Sequence, residues 1–168
     1  MFFLRVKFQN LRMKNFLKKL KLSRKRAADF MVGLGAVVRD HQGLFMAGLS
    51  RKLVGSISIE VAEAAVLLNG IHLAFESGFK RLVVESDAKN LVSYISSNSP
   101  HQSEVGLIIS DILVLCHDAD VVFSFVPRSA NYVAHALARN SFTIDDISIW
   151  MEDAPPWLFQ SLSTDFQA

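Results

Sequence analysis

Apolar and polar positions from residue 32 onward alternate between two periods, and the switches between them mark the elements. Residues 33–39 form a short apolar run, residues 40–43 (Asp-His-Gln-Gly) carry turn chemistry, and residues 44–49 resume the apolar run, which predicts a hairpin. Residues 53–59 lead into a helix over about 59–77, where Ala64, Leu67, Leu68, Ile71, Ala74 and Phe75 recur at helical spacing. Ser58 suits its N-cap and Gly78 its C-cap. Residues 81–85 read as a central strand, apolar enough to be buried on both faces. Further helices are predicted at about 88–97, 104–117 and 130–139, and a last strand at 121–126. A Ser/Asn/Pro/His loop lies at 97–103. Residues 150–157 cannot continue a helix through Pro155 and Pro156, and their Trp150 and Trp157 are expected to pack across the surface. A hairpin followed by alternating strands and helices is the order of a mixed sheet covered by helices.

Composition adds a boundary and a division. At 168 residues, 51% apolar and 20% charged, the chain has the makings of one domain with a sizeable core, and four Pro and eight Gly exclude a low-complexity sequence. One cysteine, Cys116, cannot form an internal disulfide, and its neighbours Leu113, Val114 and Leu115 make it a buried helix thiol rather than a nucleophile. No apolar run approaches the roughly 20 residues of a membrane-spanning helix. The net charge of +2 hides an asymmetry. Residues 1–28 hold ten of the 18 Lys and Arg and no acid, so residues 29–168 carry 8 − 16 = −8. Nucleic-acid affinity then has to come from a local patch or from the basic segment. That segment, in which Phe8, Leu11, Phe16, Leu20 and Leu22 are interspersed with Lys and Arg, fits an organelle transit peptide, a basic arm, a membrane-surface helix or a misassigned first exon.

Three stretches carry a family resemblance: Gly33-Leu-Gly-Ala-Val-Val-Arg-Asp40, Arg81-Leu-Val-Val-Glu-Ser-Asp87 and Phe125-Val-Pro-Arg-Ser-Ala-Asn-Tyr-Val-Ala-His-Ala-Leu-Ala-Arg139. Together they resemble the plant ribonuclease H-like domain, a reverse-transcriptase-associated family. The resemblance implies an α/β fold, a ribonuclease H-like mixed sheet flanked by helices, over residues 32–142. Residues 1–31 are then a basic extension and 143–168 a tail. The sheet's first strand, which in the family precedes Gly33 and carries an acid, is expected to be missing or replaced. Its loss would leave residues 33–38 as an uncovered apolar edge.

The family's chemistry is hydrolysis of the RNA strand of RNA–DNA hybrids with two Mg²⁺ ions held by four acids, since Mg²⁺ takes hard oxygen ligands. By position, Ala62-Glu-Ala-Ala-Val-Leu-Leu-Asn-Gly70 places the helix acid at Glu63, with Glu60 as a rival one turn earlier. Val83-Val-Glu-Ser-Asp87 places the strand-end acid at Asp87, whose plain alternative is a helix N-cap. His135 occupies the position of the last-helix acid and lies on a stripe with Tyr132 and Arg139. Asp29 is too close to Gly33 to replace the first-strand acid, and residues 127–130 are too short to carry the family's proton-shuttling histidine. The expected site is thus catalytic Glu63, Asp87 and His135, with Glu63 and Asp87 as metal ligands and Lys89 and Arg128 as phosphate contacts. The partner is an RNA–DNA hybrid or RNA, the cofactor a weakened Mg²⁺ pair. The location is intracellular: nucleus or cytoplasm, or plastid or mitochondrion if residues 1–28 are a transit peptide. A non-catalytic nucleic-acid-binding module or a truncated relic of the family is the alternative.

Overall fold

A computed structural model describes residues 4–12 as backbone, and residues 31–97 and 103–165. Asp29, the rest of the basic segment at 13–30 and most of the loop at 97–103 lie outside the described residues.

Six strands form one mixed sheet: β1 Leu4–Arg12, β2 Met31–Arg39, β3 Phe45–Val54, β4 Arg81–Ser86, β5 Asp120–Phe125 and β6 Ile147–Met151, in the order β5-β4-β1-β2-β3-β6. β1 corrects the expectation of a missing first strand. It is drawn from the basic segment itself and sits mid-sheet, antiparallel to β2 (Val6 opposite Val38) and parallel to β4 (Val6 opposite Val84). The physical reason is in the residues: Leu4-Arg-Val-Lys-Phe-Gln alternates apolar and polar at period two, a strand pattern that basic composition does not cancel. β2 is therefore paired on both sides, by β1 and by β3, and residues 33–38 present no open edge.

The hairpin between β2 and β3 turns as expected, with Gly43 at φ +81° and Asp40 Oδ1 accepting from the backbone of Gln42 and Leu44. β3 runs longer than its apolar core, to Val54, because β2 pairs with it to its end, Met31 opposite Val54, while β6 pairs with it from Ala47 to Arg51. β6 was not expected. Its edge position leaves Ile147, Ile149 and Met151 exposed, so its apolar residues signal no inward face.

Five α-helices occur among the described residues: α1 Ile59–Glu76, α2 Lys89–Ser97, α3 Glu104–Leu115, α4 Tyr132–Asn140 and α5 Phe159–Asp165. Ser58 caps α1, its Oγ accepting from Val61 N at 3.2 Å, and Gly78 follows the helix at φ +87°. The period-two alternation of β2 divides the core. Leu34, Ala36 and Val38 face α1, α2 and α3 on one side, with Leu67, Ile71, Leu91, Ile109 and Ile112 closing that cluster. Val37 faces the other side, where Val133, Ala134 and Leu137 of α4 and Leu158 pack.

α4 lies unusually close to the sheet, and glycine permits it. A Cβ on Gly35 would collide with the backbone at Ala134 O and Ala138 N, and one on Gly33 with Ala138 O. Buried Ser50 of β3 fastens the contact, donating its Oγ–H to Leu137 O at 2.8 Å. Cys116 caps the C-terminus of α3, and burial pushes its thiol up to about 11, which keeps it protonated and inert as its neighbours suggest.

Candidate functional site

The carboxyl end of β4 is where a parallel strand delivers a side chain to a cleft between helices. Asp87 is the residue after β4, and the turn beyond it is tied by Ser86, whose Oγ accepts from Ala88 N at 3.1 Å. Ser86 thus does the local capping that Asp87 might have done. Among the described residues the Asp87 carboxylate accepts no hydrogen bond and remains available to a ligand.

Asp87 lines a cavity of about 300 Å³ together with Glu63 and Glu60 from the first turns of α1 and Lys89 from the start of α2. The fold therefore gathers Glu63, Asp87 and Lys89, three of the expected residues, from parts of the chain some two dozen residues apart. Asn90 and Tyr94 also line this cavity and were not expected. Their signal was in the spacing: Asp87, Asn90 and Tyr94 fall at i, i+3 and i+7, one polar face of α2.

His135 reaches the same end of the sheet from α4. It is half-buried, and its Nδ1 is enclosed with no hydrogen-bond partner among the described residues. Burial lowers its pKa below the usual histidine value first. The positive charges of Arg128 and Arg139 lower it further, while the carboxylate of Asp87 pulls the other way. That opposing pull means Asp87 and His135 lie within electrostatic reach. Arg128, in the short turn between β5 and α4, acts on the same ring, so the expected phosphate-binding cation stands beside the site. The cavity at Glu63 and the ring of His135 do not merge into one ligand cage: no group of three or more His, Cys, Asp or Glu able to hold a metal ion forms among the described residues.

The donor set can be compared with a pair of Mg²⁺ ions. Such a pair needs carboxylates on several sides. β1, Leu4-Arg-Val-Lys-Phe-Gln-Asn-Leu-Arg12, contains no acid. Lys7 and Phe8 stand at the register positions of Glu85 and Ser86. α4 offers an imidazole, a softer ligand better suited to Zn²⁺ or Mn²⁺ than to Mg²⁺. The acids that line the cavity, Glu60, Glu63 and Asp87, do not converge as a metal-holding group among the described residues.

The lowered pKa of His135 has a measurable sign. The folded state resists protonating this ring more than the unfolded chain does, so stability is fully present above the unfolded value near 6.5 and falls as pH drops through the folded value. The denaturant midpoint is expected to fall between pH 7.5 and 5.5, and His135→Gln is expected to flatten that fall. An unchanged slope in the variant would show that the ring does not contribute it.

Among the described residues no helix is long and apolar enough to cross a membrane. No curated protein matches the sequence. The chain is similar in structure to RNase H1 from the archaeon Halobacterium salinarum NRC-1, at 18% identity and a TM-score of 0.65, covering 83% of this chain and 97% of that one. It is similar to the N-terminal RNase H domain of a Mycobacterium tuberculosis protein, at 20% identity and a TM-score of 0.63, covering 83% and 94%. A compost-derived RNase H1, LC11, solved in complex with an RNA/DNA hybrid, shares 16% identity at a TM-score of 0.63, covering 80% and 92%. These likenesses establish an RNase H fold. The model of the family described as reverse transcriptase-like matches residues 27–141, more than half of the sequence, and the chain belongs to that family.

Proposed function

We propose that this chain is a ribonuclease H-type nucleic-acid-binding domain directed at RNA–DNA hybrids, with a reduced hydrolytic site. What carries the reading is the meeting of Glu63, Asp87 and Lys89 in one cleft at the end of β4, with His135 in electrostatic reach of both Asp87 and Arg128. Lys89 and Arg128 are exposed cations flanking that cleft and supply phosphate contacts. Glu63 and Asp87 would be the hard-oxygen ligands of a divalent cation, and the absence of an acid in β1 and α4 makes binding without efficient cleavage the expected behaviour. The structural neighbour solved with an RNA/DNA hybrid lends this reading its choice of ligand.

The fold changes the part played by the N-terminus. A strand at the centre of the sheet is no cleavable leader, so we read residues 4–12 as part of the domain. The seven Lys and Arg at 13–26 follow it in the sequence.

The test is a labelled RNA–DNA hybrid titrated with the full chain, by anisotropy for binding and by gel for cleavage, in Mg²⁺ and in Mn²⁺, with Asp87→Asn alongside. Saturable binding with little or no cut product is the expected result. Cleavage abolished by Asp87→Asn would restore the full hydrolase reading, and failure of the folded chain to bind hybrid would overturn the proposal. Replacing Lys18, Lys19 and Lys21 by Gln is expected to reduce the slope of log affinity against log salt by up to about 0.9 for each phosphate no longer neutralised.

A further inference from the structure

α4 and the C-terminal segment border a second, open groove of about 660 Å³, which His135 also lines. Its character differs from the acidic body around it. Tyr132 and Trp157, each 44% exposed, stand on it as two accessible aromatic rings, and Arg139 supplies a cation. No Asp or Glu lines it. Asn140 and Thr143 are tied together, Thr143 Oγ1 lying 3.3 Å from Asn140 Oδ1, and Asn140 Nδ2 reaches Ser50 Oγ at 3.4 Å, so the groove has a fixed floor. Trp157 is also held. Its ring meets Trp150 edge to face, centroids 5.7 Å apart at 77°, and Trp150 is anchored in the core beneath α4.

An exposed tryptophan braced from behind costs little further entropy when a planar group stacks on it. Aromatic rings flanked by a cation, with no acid among the described lining residues, are what unpaired nucleobases on a phosphate backbone recognise. An acidic peptide would use Arg139 but leave two aromatic faces unmatched. We propose that this groove holds a single-stranded nucleic-acid segment, with bases stacked on Trp157 and Tyr132 and a phosphate on Arg139. The inference rests on the nucleic-acid reading above and extends it.

Trp150 and Trp157 are the chain's two tryptophans, so intrinsic fluorescence reports on the groove directly. A short single-stranded DNA and the matching RNA are titrated into the full chain, with a blunt RNA–DNA hybrid in parallel followed by anisotropy. Saturable quenching by at least one single strand is expected. Trp157→Leu should abolish the quenching and weaken single-strand binding by roughly tenfold, from a stacking contribution of about 1–3 kcal/mol per base, while leaving blunt-hybrid binding unchanged. Arg139→Gln should reduce the salt slope of single-strand binding by about one. Far-UV circular dichroism confirms that both variants fold. Single strands that do not bind, or that bind both variants as tightly as the parent, overturn the inference. Binding of single strands through this groove without binding of hybrid would keep it and sink the hybrid proposal, and hybrid binding without single-strand binding would do the reverse.

Discussion

Removing residues 1–26 is expected to unfold the domain. That deletion takes out β1, which fills the centre of the sheet with eight register pairs to β2 and five to β4. No other strand touches both halves, because β4 and β5 join β2, β3 and β6 only through it. Without it two ladders lose their hydrogen-bond partners at once, and the buried face beneath α1 and α4 opens to water. Each buried backbone group left unpaired costs about 1–3 kcal/mol, and a domain has only about 5–15 kcal/mol in all, so no folded state should survive. Near-UV circular dichroism and urea titration of residues 27–168 check this. A cooperative transition at the parent midpoint would show that the segment is a detachable leader after all. Adding back a peptide of residues 1–14 should restore native signal if the strand is what was lost.

Gly35→Val is the second substitution with a large expected effect. A Cβ at Gly35 would fall on the backbone of α4 at Ala134 and Ala138, and backbone cannot swing aside as a side chain can. α4 must then lift from β2 and β3, breaking the Ser50–Leu137 hydrogen bond of 2.8 Å and opening the pocket that encloses Val133 and Leu137, both fully buried. The loss is expected to be at least about 3 kcal/mol, the upper end of overpacking costs. Gly78→Ala provides the contrast. Gly78 has open space around it and a left-handed backbone, so alanine there should cost only about 1–2 kcal/mol. Urea midpoints of the two variants separate steric collision from backbone strain. Gly35→Val should also move His135 away from Asp87, and the pH dependence assigned to that ring should weaken with it.

The core was legible in the sequence because its periods were clean. The α1 stripe of Leu67, Ile71 and Ala74 is fully buried as its spacing implies, and Ser58 and Gly78 bracket the helix where capping chemistry puts them. Asp87 and Glu63 could be brought to one end of the sheet by motif alone, and they share a cavity. β1 was obscured because ten basic residues drew the whole N-terminal segment toward targeting or arm readings, while the alternation at residues 4–9 already carried the strand. β6 was obscured for a different reason. Ile147, Ile149 and Met151 are half exposed on an edge, so their burial follows no inward-facing rule. Tyr132 and Trp157 meet across one groove only through tertiary packing, which no local pattern of either segment encodes.

The position of β1 also has a consequence during synthesis. β1 leaves the ribosome before its parallel partner β4, which follows 78 residues later, since Leu4 pairs with Leu82 and Phe8 with Ser86 (82 − 4 = 86 − 8 = 78). At about 5–20 residues per second, the nascent strand waits several seconds with one ladder open. Pairings so distant in sequence also place refolding in the slow range of milliseconds to seconds. In that interval the positive charges of Arg5, Lys7 and Arg12 repel copies of the same strand on neighbouring chains. The basic character of the N-terminus thus guards a nascent β-strand against aggregation until the rest of the sheet arrives to enclose it.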